Sequence, residues 1–230
     1  MHQTWRDLLF AHWPMPYRAL RLLVPAGLTP QTFEGRAWVG ITSFVLTGLR
    51  PRALPAMPGL SRFPEINVRT YVTVGAERPG VFFFSLDAGS TLAVLAARAL
   101  YSLPYFRARF TVRAEPGSIV YASRRTARGA PPAEFRAVYR PTGAAAAARP
   151  DTLAHWLTER YRLYAVDRRG GLRRAEIDHA PWPLQPAEAD IQRNTMTAGL
   201  GFELPGTAPL VHFAARLDVR VGPPEAVPAG

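Results

Sequence analysis

An α+β fold, an antiparallel β-sheet curled into a barrel with a few short flanking helices, is what three features of this sequence predict. Segments that alternate apolar and polar residues, or that are rich in β-branched and aromatic types, recur from residue 36 to residue 221. Stretches with helical spacing are few and short. Hydrophobic residues make up 48% of 230 positions, enough to bury a sizeable core. Length and continuity predict a single domain over residues 1–221, an Ala-rich connector at 141–150 and a flexible tail at 222–230.

The apolar N-terminal stretch contains Arg6, Asp7 and His12 and lacks a small-residue cleavage site, so it does not read as a signal peptide. Pro16 to Val24 reads as a short helix, opened by Pro16, carrying Leu20, Leu22 and Leu23, and ended by Pro25. Arg36–Leu46 reads as a strand, and Pro51–Pro64, with four prolines, as an irregular loop. Ile66–Val74 is the clearest strand, and Val81–Leu86 is a second, joined to it by the hairpin-length Gly75–Gly80. Ser90–Leu100 reads as a helix capped by Ser90 or Thr91 and packed on the sheet by Leu92, Leu95 and Leu100. Arg107–Arg113, Ser118–Ser123, Glu134–Tyr139, Tyr161–Val166, Leu172–Ile177 and Leu210–Val221 carry β-formers, and Asp151–Glu159 reads as a short helix capped by Asp151.

Two absences remove whole classes of chemistry. The chain has no cysteine, hence no thiol nucleophile, disulfide or thiolate metal site. All 28 basic residues are arginine, so side-chain imine chemistry, pyridoxal phosphate attachment and a lysine-bearing phosphate loop are excluded. Histidines 12, 155, 179 and 212 are too scattered for a short metal motif, and no metal or other cofactor is expected. No run approaches the roughly 18–20 apolar residues of a spanning helix, so no membrane partner is expected and the cytoplasm is the expected location.

The net charge of +11 first suggests nucleic acid. Its distribution argues the other way. Residues 1–114 carry 13 Arg against 5 acids and 115–230 carry 15 Arg against 12 acids, with no basic tail. The densest groups, Arg124-Arg125 with Arg128 and Arg168-Arg169 with Arg173-Arg174, fall in turn-like contexts and read mainly as solvated charge.

Period-2 geometry puts Glu65, Asn67, Arg69, Tyr71 and Thr73 on one face of the clearest strand, opposite Ile66, Val68, Val72 and Val74. A carboxyl, an amide, a guanidinium and a phenol in one row suit the polar lining of a curled sheet. A solvated face with an ordinary Glu65–Arg69 ion pair fits the same spacing. His12-Trp13-Pro14 and His179-Ala180-Pro181-Trp182-Pro183 are stiff aromatic segments whose histidines are positioned by their neighbours.

Those two segments, with Phe63-Pro64-Glu65-Ile66-Asn67-Val68-Arg69-Thr70-Tyr71-Val72 and Gly80-Val81-Phe82-Phe83-Phe84-Ser85-Leu86-Asp87-Ala88, resemble the YqjF-like family of uncharacterised bacterial proteins. So do Gln3 to Ala11, Leu157-Thr158-Glu159-Arg160-Tyr161 and His212-Phe213, and the likeness runs over nearly the whole chain. A weaker similarity leads on to acetoacetate decarboxylase. Pro64-Glu65 resembles the start of one of its strands. Ala97-Arg98…Leu103-Pro104-Tyr105-Phe106 resembles the segment that bears its Schiff-base lysine, with Tyr105 and Phe106 where two lysines would stand. The resemblance implies a cone or barrel of antiparallel strands around a small-molecule pocket.

The reading that follows is a protein that binds or transforms a small organic carboxylate or carbonyl compound, as a homo-oligomer or a monomer. An enzyme of this kind would be a lysine-independent lyase or hydrolase. Glu65 and Tyr105 are the expected proton-transfer groups. Asn67, Arg69, Tyr71 and Arg98 are the expected ligand contacts, with His12, Trp13, His179 and Trp182 enclosing them. A non-catalytic structural or interaction module is the alternative, and a nucleic-acid binder the third. Borohydride added with acetoacetate should trap no side-chain adduct, which peptide mapping of the treated protein checks. An adduct anywhere but on the N-terminal amine overturns the exclusion of imine chemistry.

Overall fold

Strand β4, Arg62–Thr73, is buried along both faces, and the architecture follows from that. The structure, a computed structural model, describes residues 1–50, 61–75 and 79–227. Around β4 run β1 (His2–Met15), β2 (Thr29–Pro30), β3 (Ala37–Arg50), β5 (Gly80–Ala88), β6 (Tyr105–Glu115), β7 (Ser118–Arg125) and β8 (Glu134–Pro141). Then come β9 (Arg162–Val166), β10 (Leu172–His179), β11 (Gln185–Asn194), β12 (Leu210–Val221) and β13 (Glu225–Ala226). The helices are α1 (Tyr17–Arg21), α2 (Thr91–Tyr101) and α3 (Leu153–Thr158).

Five strands in the order β5-β4-β3-β1-β12 form a central wall that forks at both edges. The outer edge of β12 pairs with β11 near Phe213 and with β10 near Val221. The outer edge of β5 pairs with β6 near Asp87 and with β9 near Val81. One flap, β6-β7-β8-β11, therefore closes a nine-stranded barrel with the wall. The other, β9-β10, covers the opposite face together with α2 and α3. Each chamber has its own core. Leu9, Ala11, Ile41, Ile66 and Val68 pack into the nine-stranded barrel against Tyr121 and Phe135. Leu8, Phe10, Phe44, Phe63 and Tyr71 face the second chamber with Leu163 and Ile177. A solvated face on β4 is thereby ruled out: Glu65, Asn67, Arg69 and Tyr71 are all buried.

Of the register shifts in the wall, two set which residues face the second chamber. Along β1 and the residue before it, Met1, Gln3 and Trp5 border the second chamber, then Leu8, Phe10 and His12 face it. The change from odd to even positions falls at a register shift between Arg6 and Leu9. Asp7, with φ 54°, takes up the extra residue in the left-handed region that Asp tolerates better than most side chains. On β5 a shift opposite Val68 and Arg69 leaves Phe84 as the extra residue, so that Leu86 and Phe83 both face the same chamber as Arg69.

The sequence-based strands and helices are found, with five differences. The sheet is not wholly antiparallel: β5 runs parallel to β6 and β9, and α2 supplies the crossover that a parallel β5–β6 pair needs. The helix at 91–101 packs through Ala93, Val94 and Tyr101, while Leu92, Leu95 and Leu100 are 57%, 59% and 62% exposed. Ser90, one residue beyond β5's last neighbour Gly89, caps Ala93 and fixes the rotation of the first turn. Small residues then face inward, where leucines would fill the chamber. The cap of α3 is Thr152, whose hydroxyl accepts from the His155 amide at 3.3 Å, not Asp151. Of the terminal stretch, Glu225–Ala226 pairs with Arg173 and Arg174 on β10. Finally, β1 and β11 were not read from sequence, because β1 is apolar on both faces and β11 is exposed at every second position. The proposed loop lies outside the described residues at 51–60, whereas Arg62, Phe63 and Pro64 already belong to β4.

A buried ion pair ties the barrel flap to the wall. Arg125 of β7 holds Asp87 of β5 through Nη2 at 2.7 Å and Nε at 3.0 Å, its guanidinium lying 4.2 Å from the Phe106 ring centroid. The two side chains are 6% and 0% exposed. Arg125→Met should strand the Asp87 carboxylate and lower stability in urea melts by about 3–5 kcal/mol. Leu95→Gln on the outer stripe of α2 should stay within about 0.5 kcal/mol of the wild type.

Candidate functional site

The second chamber is not filled. A cavity of about 220 Å³ lies between β4 and α2, walled by Phe44, Phe63, Phe83, Leu103 and Leu163 and reaching the surface beside Ala96 and Leu100. Its polar groups come from a few elements held in fixed register. Strand β4 contributes Glu65, Asn67 and Arg69, β3 contributes Thr42, and α3 with the segment after it contributes Thr158 and Arg160. Tyr105, at the start of β6, reaches across to β4.

Glu65 is the sole acidic side chain among the described lining residues. Its Oε2 accepts the Tyr105 hydroxyl at 2.9 Å. Burial pushes the carboxyl up to about 8; the Tyr105 hydrogen bond opposes this and nearby Asp87 adds to it. At neutral pH the group is mainly a protonated acid. Burial, reinforced by Glu65, holds the Tyr105 phenol well above its ordinary range, so it stays a hydroxyl.

Two guanidiniums stand at the inner end. Arg160 donates through Nε to the Trp156 carbonyl at 2.6 Å and through Nη1 to Gln31 Oε1 at 2.7 Å. It also lies over the Trp156 and Tyr71 rings at 4.4 and 5.0 Å. Burial pushes it down to about 10, the neighbouring Tyr71 opposes this and Arg69 adds to it, which leaves it charged at neutral pH. Arg69 bonds the Tyr71 hydroxyl and lies 5.3 Å from the Phe10 centroid. Neither has a carboxylate partner among the described residues. Arg69 Nε and Arg160 Nη2 are buried with nothing to donate to, and Asn67 Oδ1, Thr42 Oγ1 and Trp5 Nε1 are likewise unpartnered. Native interiors leave few such groups, and here several converge on one cavity.

Behind Arg69, the Tyr71 hydroxyl lies 2.8 Å from His12 Nε2. Burial holds His12 well below its ordinary value, with Arg69 and His212 adding to this, so the imidazole is neutral. The ring pair packs close against the wall because position 40 is glycine: a Cβ there would come within 3.0 Å of the His12 ring and 3.2 Å of the Tyr71 hydroxyl. His179 stacks on Tyr161 at 4.5 Å, and Trp182 stacks on Trp5 at 5.8 Å; both border the cavity.

Of the residues singled out from sequence, the structure gathers Glu65, Asn67, Arg69, Tyr105, His179 and Trp182 around the cavity. Tyr71 and His12 stand one layer behind it. Arg98 and Trp13 do not belong to it. Arg98 is exposed on the outer side of α2, and Trp13, past the bulge, faces the other chamber and donates to the Thr207 carbonyl. Arg160 was not singled out. It follows a short helix with no periodic pattern of its own, although its segment carries part of the family likeness.

Comparison with known proteins agrees with this architecture. The model of the DUF2071 family, described as an uncharacterized conserved protein, matches residues 2–218. The uncharacterized protein YqjF of Bacillus subtilis (strain 168) is 48% identical over 223 residues, covering 97% of this chain and 90% of that protein. Among solved structures, the enduracididine biosynthesis enzyme MppR, complexed with the condensation product of pyruvate and imidazole 4-carboxaldehyde, superposes with a TM-score of 0.68 at 10% identity. The match covers 98% of this chain and 88% of MppR. An acetoacetate decarboxylase-like enzyme from Sphingomonas wittichii RW1 gives 0.64 at 15% identity, over 100% and 93% of the two chains. The fold is acetoacetate decarboxylase-like.

The Glu65 carboxyl makes stability pH-dependent. Its folded value of about 8 lies above the ordinary 4.5, so the native state keeps a proton that the unfolded chain has lost. Stability should fall as pH rises from about 4.5 to 8, by on the order of 5 kcal/mol at most, and level off above. Urea melts at pH 5, 7 and 9 check this; Glu65→Gln should flatten the decline between pH 5 and 9.

Proposed function

We propose that this chain, which belongs to the DUF2071 family of uncharacterized conserved proteins, binds a small organic carboxylate in the second chamber and acts on it without a covalent lysine intermediate. The observation that carries the reading is the pair of buried guanidiniums, Arg69 and Arg160, each presenting an unpartnered nitrogen beside a cavity in which Glu65, the one acid among the described lining residues, is protonated. Two buried positive charges without an anion are costly as scaffold, because desolvation is not offset. A carboxylate offers the matching charge and the planar acceptor geometry that guanidinium favours.

Glu65 and Tyr105 fit proton transfer to such a ligand. Glu65 holds its proton at neutral pH and can give it to a carbonyl oxygen or a carbanion-like carbon. The Tyr105 hydroxyl then stabilises the carboxylate that remains. Lyase or hydrolase steps that need only acid–base help are open to this arrangement; imine formation is not, for lack of lysine. The solved structures of this fold with bound small molecules support a ligand chamber.

Mass spectrometry of small molecules released from the purified protein, alongside calorimetry with short carboxylates, tests the reading. Arg69→Met should weaken carboxylate binding about ten- to hundredfold, the worth of charge-assisted hydrogen bonds. It should melt no lower than the wild type in the absence of ligand. Arg168→Ala, in the turn after β9, should change neither. A marked fall in stability of Arg69→Met with carboxylate affinity unaltered would make the row a packing feature.

A further inference from the structure

We propose that the ligand is an amphipathic monocarboxylate whose apolar tail runs from Arg69 and Arg160 toward the mouth at Leu100, so that the chamber reads chain length. The inference rests on the carboxylate reading above and adds the rest of the molecule to it. The register of β3 against β4 supplies the axis. The pairs Leu46↔Phe63, Phe44↔Glu65, Thr42↔Asn67 and Gly40↔Arg69 stack four levels along one face. Two-residue steps of about 6.6–6.8 Å make the row about 20 Å long.

Polarity changes along that row in one direction. The Arg69 level is closed from behind by Tyr71 and His12, packed against Gly40, and by the Trp156 ring, which lies 4.9 Å from Tyr71. The Asn67 level adds an amide oxygen and a hydroxyl that lack partners. At the Glu65 level the carboxyl–phenol pair faces Phe44. The Phe63 level is apolar, with Leu46 and Trp5 across the sheet. From there the lining passes to Leu49 and Leu100, which are partly and largely exposed.

The wall facing these levels is equally one-sided. Helix α2 presents Ala93 and Ala97 inward, small residues that leave the volume open, and Leu103 continues the apolar surface. A space of about 220 Å³ is the liquid volume of about seven waters. A three-carbon acid held at the guanidiniums would leave the aromatic and aliphatic levels uncovered and forfeit their burial. A longer tail covers them, and each methylene added should raise affinity about fourfold, the equivalent of about 0.8 kcal/mol per buried methylene.

Calorimetry with straight-chain monocarboxylates from acetate to dodecanoate, kept below their micelle concentrations, tests this. Affinity should climb about fourfold per methylene and then level off where the tail passes Leu100. The methyl ester of a chain near the plateau should bind at least tenfold more weakly than the acid. Ala97→Phe should bring the plateau to a shorter chain. Affinity that is flat with length or greatest for the shortest acids, with Arg69→Met still weakening it, overturns the tail and leaves the carboxylate reading standing. An unmoved plateau in Ala97→Phe overturns the tail's path along α2. Esters that bind as well as acids overturn both the inference and the reading beneath it.

Discussion

Everything in this molecule depends on a strand of the central wall, β4, that is dry on both faces. A strand with one wet face can carry charge there at little cost, but each polar side chain on β4 must find a partner inside the protein or in a ligand. Along the face toward the nine-stranded barrel the solution is apolar, with Ile66 and Val68 among aromatic neighbours. Along the other it is polar, and the polar groups are incompletely matched. The asymmetry between the two chambers gives one a packing role and leaves the other available for chemistry.

The local features were legible in the sequence because local physics determines them. The β4–β5 hairpin follows from alternation and the start of α2 from a serine cap. The row Glu65, Asn67, Arg69 and Tyr71 follows from the two-residue period, though spacing alone could not say whether water or protein lay beyond it. What resisted reading depends on distant contacts. The rotation of α2 is one such feature: Leu92, Leu95 and Leu100 predict an inward apolar stripe, whereas alanines line the void and the three leucines are largely exposed. Parallel pairing at both ends of β5 leaves no mark in a short apolar run. Arg160 becomes meaningful only when the fold carries it from the far side of the chain to a place beside Tyr71, at a sequence distance of 89 positions.

The absence of lysine shapes the electrostatics of the chamber as well as its chemistry. Buried lysines lose their charge readily, and an amine at this place could relieve the cost of burial by giving up its proton. Arginine resists that escape, and Arg160 remains protonated at neutral pH even though burial pulls it down to about 10. On β4 the group that titrates near neutrality is Glu65. Fixed positive charge at one level and a movable proton two levels away, with Asn67 between them, are thus separated along a single strand.

The bulge at Asp7 bears on how such a chamber can diverge among relatives. On its N-terminal side, Met1, Gln3 and Trp5 border the cavity, while His2, Thr4 and Arg6 occupy the alternate positions of the same strand. Gaining one residue beside Asp7, with the bulge itself kept, would exchange the two sets at once, bringing a guanidinium, a hydroxyl and an imidazole to the mouth in place of an indole, an amide and a thioether, whereas losing Asp7 would restore the regular pleat and leave each set on its face. A lineage could thus rewrite the rim of the cavity through a single codon gained, while the inner levels on β4 kept their register. Length variation at this point, more than point substitution, is then the coarse dial by which descendants of this fold acquire new ligand preferences.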